Sequence, residues 1–325
     1  MKYAPVIIPT MNRYNHFYAC LESLERCTGS EHTDVYVALD YPPSEKYVDG
    51  WKDIDKYLLD KEKTHGFHSL TVYRRTTNYF FSGKGNASSV IKELSQRYEA
   101  YICSEDDNVF APGFLEFINK GLEIYKDDER VLAICGYSHP CDFSDEGHTV
   151  FAQSINYSAW GTATWYKKSM LNRNLLHKSY FRKVFYSPSK MLKVMQTGWS
   201  RVLNVIDNSQ SNNIKATDYN LSLLMLLNKQ VMIMPVKTLV RNMGWDDSAT
   251  HTHPKTIKGH QRAKLESQRE LCSDTHFEYV GDPFLHLKKN NQRMIDFGRL
   301  YTDTSARLKL ITIAKLLLRF VSFWK

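Results

Sequence analysis

The 325-residue chain is expected to fold as an α/β protein with a mostly parallel central sheet and helices on both faces. Three observations carry that expectation. Short apolar runs of strand length alternate with longer stretches of helical periodicity through the first third of the sequence. The runs end in Pro, Asn, Asp or Arg, residue types suited to the carboxyl edge of such a sheet, where ligands bind. Composition is that of a globular protein, with 42% hydrophobic and 24% charged residues, and the length suits one catalytic-sized domain with elaborations.

Taken in order, APVIIPT (residues 4–10) reads as a buried strand stopped by Pro9 and Thr10. HFYACLESLERC (16–27) follows with Phe17, Cys20, Leu21 and Leu24 on one helical face. TDVYVALDYP (33–42) and HSLTVYRRT (68–76) are the second and third strands. GKGNASSVIKELSQRY (83–98) is a glycine-containing loop entering a helix, and YEAYICSEDD (98–107) is the fourth strand. The second half is less regular. SINYSAWGTATWYKKSML (154–171) is aromatic and glycine-bearing, DYNLSLLMLLNK (218–229) reads as an amphipathic helix, and QVMIMPVKTLV (230–240) as a strand interrupted by Pro235. No repeat or low-complexity linker divides the chain. From about residue 250 it turns basic and polar, as an ordered extension or a lid.

A net charge of +8 and a pI near 9.0 suit an anionic partner, whether nucleic acid, nucleotide or acidic membrane surface. The six cysteines form no C-x-x-C pair, which favours a reducing compartment over a zinc knuckle or disulfide framework. The first apolar run is too short for a signal peptide, and no uninterrupted apolar stretch reaches spanning length, the C-terminus coming nearest. A cytoplasmic protein is therefore expected.

The stretch SEDDNVFAPGFLEF (104–117) places Glu105, Asp106 and Asp107 directly after the fourth strand. Three adjacent carboxylates repel one another unless a positive group sits among them, and a divalent cation with hard oxygen ligands is one remedy. The plainer alternative is a solvated turn whose aspartates cap the following helix.

APVIIPTMNR, YVALDYP and YICSEDDNVFAPGFLEFI, in that order and spacing, resemble the GT-A class of nucleotide-sugar-dependent glycosyltransferases. The nearest likeness is to bacterial family 2 type enzymes and to the family of N-acetylglucosaminyltransferase I. TDYNLSLLMLLNKQVMIMPVKTLVRNMGWDDSATHTH is similar to the segment that ends the catalytic domain in bacterial polysaccharide glycosyltransferases. The resemblance spans roughly residues 3 to 253 through short, degenerate motifs. It implies a GT-A, Rossmann-like fold for residues 1–253; composition and periodicity add a basic extension or lid over 254–304 and an amphipathic helix over 305–325.

The resemblance implies that Asp107 coordinates Mn2+ or Mg2+, that Asp106 contacts the ribose or the metal's water shell, and that Glu105 supports both. It implies that Pro9, Thr10, Asn12 and Arg13 lie against the base and ribose, and that Asp40 faces the uracil or ribose, unless Asp40 is merely a turn residue before Pro42. His251, in ATHTH with His253, matches a metal ligand or diphosphate contact; a surface histidine is the alternative.

Sugar transfer needs charge neutralisation on the departing diphosphate and a base for the acceptor hydroxyl. Arg74, Arg75 and Lys84 are placed near phosphates by the strand and loop pattern, although SGKGN is no Walker loop. Asp218 opens a helix where similar inverting enzymes carry their catalytic acid, with helix capping as the alternative and Asp246 or Asp247 as substitutes. Trp160 and Gly161 match a stretch that lines a sugar, by stacking and by close backbone approach; the alternative is that both Trp160 and Trp165 are core, and Trp165 is expected there.

The expected function is an inverting, metal-dependent transfer from a nucleotide-diphosphate sugar, UDP-linked by the resemblance, to a saccharide or lipid-linked acceptor. The competing functions are a sugar nucleotidyltransferase, whose G-x-G-x-R loop is absent after the first strand, and a basic nucleic-acid-binding protein, for which no helix-turn-helix, RNP or zinc-finger pattern exists. Nucleic acid is not an expected partner. SARLKLITIAKLLLRFVSFWK (305–325) projects Arg307, Lys315, Arg319 and Ser322 to one side of a helix and Leu310, Ile313, Leu317, Phe320, Val321 and Trp324 to the other. That pattern predicts peripheral contact with an anionic membrane, at its cytoplasmic face; a helix packed on the domain is the alternative.

Overall fold

A computed structural model describes residues 3–80, 82, 84–143, 147–244, 270–301 and 306–321. The elements begin with β1 (Val6–Thr10), α1 (Tyr14–Glu25), β2 (Asp34–Leu39), α2 (Val48–Thr64), β3 (Ser69–Arg74), α3 (Asn86–Leu94) and β4 (Ala100–Cys103). β5 (Asn108–Phe110), α4 (Phe114–Ile124), β6 (Val131–Cys135), β7 (Val150–Gln153) and β8 (Thr162–Trp165) follow. Next come α5 (Tyr166–Arg173), α6 (Lys178–Phe185), α7 (Pro188–Thr197), α8 (Trp199–Asn208), α9 (Asp218–Leu227), β9 (Val231–Pro235) and β10 (Val240–Asn242). Helices Leu287–Tyr301 and Ala306–Val321 complete the described chain.

Eight strands form one sheet in the order β3-β2-β1-β4-β8-β6-β9-β7. The β3-β2-β1-β4 half is parallel, and β9 runs parallel to β6, but β8 is antiparallel to both of its neighbours and β7 to β9. The sheet is therefore mixed, and its antiparallel members come from the aromatic second half. Pro9 is tolerated in a central strand because β1 pairs with β4 only at Val6 and Ile7, so Pro9 lies past the end of that ladder.

Phe17, Cys20, Leu21 and Leu24 of α1 are fully buried, as their spacing predicts. They join Ile54 and Leu58 of α2, Phe114 and Phe117 of α4 and alternate residues of β1 and β2 in the main core. The other face packs Ile7, Tyr36 and Ala38 against Val90 and Leu94 of α3 and Tyr166 of α5. Helices thus cover both faces. A third cluster, built from α6, α7, α8 and Leu223 of α9, is a separate helical layer.

Two expectations are corrected. α9 is not amphipathic in the ordinary sense: Asn220, Ser222, Leu223, Leu224, Met225 and Leu226 are all buried, because the helix is enclosed between the sheet and the helical layer. The run around Pro235 is two strands, β9 in the main sheet and β10 in a ribbon with β5 that pairs Asn242 with Asn108. Residues 270–301, within the expected extension, pack on the core: Met294 is buried, and the Tyr279 hydroxyl donates to the Phe117 carbonyl at 2.9 Å.

Candidate active site

β4 delivers the acidic triplet to the carboxyl edge shared by β1, β2 and β3. The turn after Cys103 is pinned by Asn108 Nδ2, which donates to Ser104 Oγ at 3.1 Å, and by Ser104 N, which donates to the Ile7 carbonyl at 3.0 Å. Asp106 and Asp107 are both buried. They do not cap α4, whose N-cap is Gly113 with no side-chain cap, so the capping alternative falls away.

Arg13, at the N-cap of α1, places Nη2 against Asp106 Oδ1 and 2.7 Å from Asp107 Oδ2. Thr10 Oγ1 donates to Asp106 Oδ2 at 3.0 Å. The amide of Asn242 donates to Asp107 Oδ1 at 2.5 Å and to Glu105 Oε2 at 3.3 Å. Gly244 then donates its N–H to Asn242 Oδ1 at 3.0 Å and lies so close that an added Cβ would sit 1.9 Å from Asp107 Oδ2. Asn242 and Gly244 were not among the sequence candidates. Only the β5–β10 pairing brings them here.

Electrostatically the site is short of positive charge. Burial, then the like charges of Asp107, Asp218 and Asp106, lift Glu105 to about 8 against the opposing pull of Arg13. Burial, with the charge of Asp107, also raises Asp106 against the opposing pull of Arg13 and Thr10. Arg13 itself is held above its ordinary value, because Asp106 and Asp107 outweigh the opposing effect of burial.

Asp218 belongs to the same field: its charge acts on Glu105 and also on Cys103, which burial pushes to about 12. Capping of α9 falls to Thr217, whose hydroxyl accepts from Asn220 N at 3.4 Å. Asn204 and Asn208 of α8 donate to Asn220 Oδ1 at 2.8 and 2.7 Å, and Asn220 Nδ2 donates to the Lys215 carbonyl at 2.8 Å. This asparagine cluster fixes the turn that presents Asp218. It has no motif signature.

The remaining candidates are distributed as follows. Pro9 and Thr10 end β1, Asn12 and Arg13 lie in the turn to α1, and the Asn12 carbonyl is so near Gly50 of α2 that a Cβ there would lie 2.1 Å from it. Asp40 is buried; it accepts from the N–H groups of Tyr41 at 2.9 Å, Tyr79 at 2.7 Å and Phe80 at 2.9 Å, so it anchors the loop that carries Lys84. The Lys84 ammonium lies 5.0 Å from the Tyr79 ring. Arg74 is engaged by α2, pairing with Asp55 at 2.6 Å and Glu62 at 2.9 Å, and Arg75 holds Asn86 and Ser89 of α3.

Trp160 stands edge-on to Tyr137 at 4.6 Å and borders a loop tied to α9 by the Tyr157 N–H to Ser222 Oγ bond of 2.7 Å. Gly161, at φ +62°, serves packing: a Cβ would meet Val240 at 2.7 Å and Phe114 at 3.0 Å. Trp165 is buried in the main core, as expected. His251, His253, Asp246 and Asp247 lie outside the described residues.

No protein-family model and no curated protein sequence matches the chain. Solved structures similar to it include a mannosyltransferase from Pyrobaculum calidifontis in complex with GDP-mannose and Mn2+, at 17% identity and a TM-score of 0.35, covering 53% of this chain and 46% of that one. TarS of S. aureus, residues 1–349, matches at 15% identity and a TM-score of 0.36 over 70% of this chain and 71% of that one. The bifunctional glycosyltransferase WbbM matches at 10% identity and a TM-score of 0.34 over 82% and 44%. The chain thus spans less than half the length of the mannosyltransferase.

Proposed function

We propose that the chain is a glycosyltransferase that moves a sugar from a nucleotide-diphosphate donor, of the UDP-sugar type, to a saccharide or lipid-linked saccharide acceptor with inversion at the anomeric carbon. The observation that supports it is the buried Glu105, Asp106 and Asp107 cluster at the carboxyl edge of the sheet, within the field of Asp218 and balanced locally by Arg13.

A divalent cation suits this donor set. Asp106 and Asp107 offer hard carboxylate oxygens, and burial together with the neighbouring like charges lifts Glu105 to about 8. Among the described residues no three acidic, His or Cys side chains form a ready-made cage. A cation held largely by substrate phosphates needs only one or two protein carboxylates, here Asp107 with Asp106. When bound, Mn2+ or Mg2+ would act as a Lewis acid on the departing diphosphate.

The protein's own groups do the rest. The Pro9–Arg13 turn receives the nucleoside, and Lys84, on the loop held by Asp40, adds positive charge for the phosphates. Asp218 accepts the proton of the acceptor hydroxyl as its oxygen bonds to the anomeric carbon and the bond to the diphosphate breaks. Trp160 offers an apolar face to a sugar ring.

The test is donor hydrolysis and transfer over a panel of nucleotide sugars, with and without chelator. Activity should stop in chelator and return with Mn2+. Asp218→Asn keeps the side chain's shape but removes the basic oxygen, so turnover should fall by about 100-fold or more while nucleotide affinity is unchanged. Near-normal turnover in that variant would move the base elsewhere, and full activity in chelator would remove the metal.

A further inference from the structure

The chain's positive charge is concentrated in one part of the fold. Residues 178–208, which hold α6 to α8, carry six Lys and Arg against only Asp207, a net +5 in a chain whose total is +8. The helix Ala306–Val321 adds Arg307, Lys309, Lys315 and Arg319 with no acid. It packs on α8, where Lys315 pairs with Asp207 at 2.7 Å and Leu316 meets the apolar cluster of α6, α7 and α8. These two segments together are +9, and the remainder of the chain is −1.

The same layer exposes aliphatic side chains. Packing uses the Thr312, Lys315 and Leu316 side of the C-terminal helix, so Leu310, Leu317 and Leu318 face outward, 68%, 63% and 71% exposed. They fall at helical spacing with Ala314 and form a continuous outward stripe. Leu192 and Met195, one turn apart on α7, are also exposed, as are the cations Arg182, Lys183 and Lys190 of α6 and α7.

We propose that α6, α7, α8 and the C-terminal helix form a docking surface for an anionic lipid bilayer. Aliphatic side chains enter the boundary between headgroups and acyl chains while the surrounding cations meet lipid phosphates. A second copy of the chain would set the exposed Arg182, Lys183, Lys190, Arg307 and Lys309 against like charge, and a soluble polyanion would leave the leucines in water. Among the described residues no helix is long and apolar enough to cross a membrane, so the contact is peripheral. The surface does not rest on the catalytic assignment. It does have a consequence for it: α9, which begins at Asp218, contributes Leu223 to the same helical layer, so docking brings the acidic site to an acceptor held in the membrane.

The experiment is co-sedimentation of the full chain with phosphatidylcholine vesicles, with and without phosphatidylglycerol, at low and high salt. Binding should require phosphatidylglycerol and weaken with salt. Leu310→Glu/Leu317→Glu and Lys183→Glu/Lys190→Glu should each reduce the partition by about tenfold or more. Melting temperature and donor hydrolysis in solution should not change; if the first pair lowers the melting temperature, Leu318→Gln replaces it. Equal binding to neutral vesicles, or none to either, overturns the proposal. So does loss of binding in the lysine variant with none in the leucine variant, which would mark a polyanion surface. A dimer in sedimentation equilibrium that Leu318→Gln dissociates, without vesicle binding, would assign the stripe to a second copy.

Discussion

Asp107 touches two groups that pull its role in different directions, the Arg13 guanidinium at 2.7 Å and the Asn242 amide at 2.5 Å. Arg13 compensates charge, whereas Asn242 fixes orientation, and a buried carboxylate held in both ways is placed for binding rather than for stability. Asp107→Asn removes a negative charge from the crowded carboxyl cluster while preserving shape. Transfer should fall by about 100-fold or more, with the melting temperature equal or higher; a lower melting temperature with activity retained would make Asp107 purely structural. Gly244→Ala tests the geometry from the other side. Its Cβ would lie 1.9 Å from Asp107 Oδ2 and 2.8 Å from Arg13 Nη1, so the carboxylate must move. Overpacking of this kind costs about 1–3 kcal/mol, visible in denaturant midpoints, and donor affinity should drop with it. The triplet was legible in the sequence because three adjacent acids after an apolar run are chemically conspicuous. Asn242 was not, since it stands 135 residues from Asp107 and reaches it only through a non-local strand pair. Arg74 was misleading for a related reason: its partners Asp55 and Glu62 sit on α2, a helix absent from the pattern read along the chain.

At the level of elements, what could be read and what could not divides at the middle of the chain. β1 to β4, α1 and α3 follow from uninterrupted apolar runs or helical spacing, and all are present, as is α9, though not with the amphipathic face expected of it. β6, β7 and β8 are four- or five-residue strands, and β7 and β8 owe their antiparallel place to partners distant in sequence. α5 to α8 alternate basic and apolar residues over eight to ten positions, too short for periodicity to separate them from loop. The first turn of α9 shows how an element conveys local chemistry to the site. Thr217 caps it, and Asn220 is clamped by Asn204 and Asn208 of α8. Thr217→Ala should cost about 1 kcal/mol through the lost cap. Because Asp218 is the first helical residue, kcat should fall while KM for the donor stays constant. If the stability loss appears with kcat intact, the orientation of Asp218 does not depend on its cap.

On the scale of the whole molecule, the apolar interior is not one body. The main core joins both halves of the sheet to α1, α2 and α4, and a second cluster backs the β1–β4 half with α3 and α5. The helical layer of α6, α7 and α8 has its own nine-member buried cluster, linked to the rest through α9. Small cooperative units with few apolar contacts open at lower free energy than the sheet that carries them. Native-state hydrogen exchange should therefore find α6, α7 and α8 opening together, well below the global unfolding free energy, while β1, β2, β6 and β9 exchange only through global unfolding. The C-terminal helix supplies Leu316 to that layer and the Lys315–Asp207 pair to α8. Leu316→Ala should consequently speed exchange in α6 to α8 and leave the sheet unchanged. Uniform acceleration across the sheet and the helical layer would mean that the molecule unfolds as one unit. Anionic vesicles offer the reciprocal test, since a ligand bound only by the folded layer must slow its opening without touching the strands.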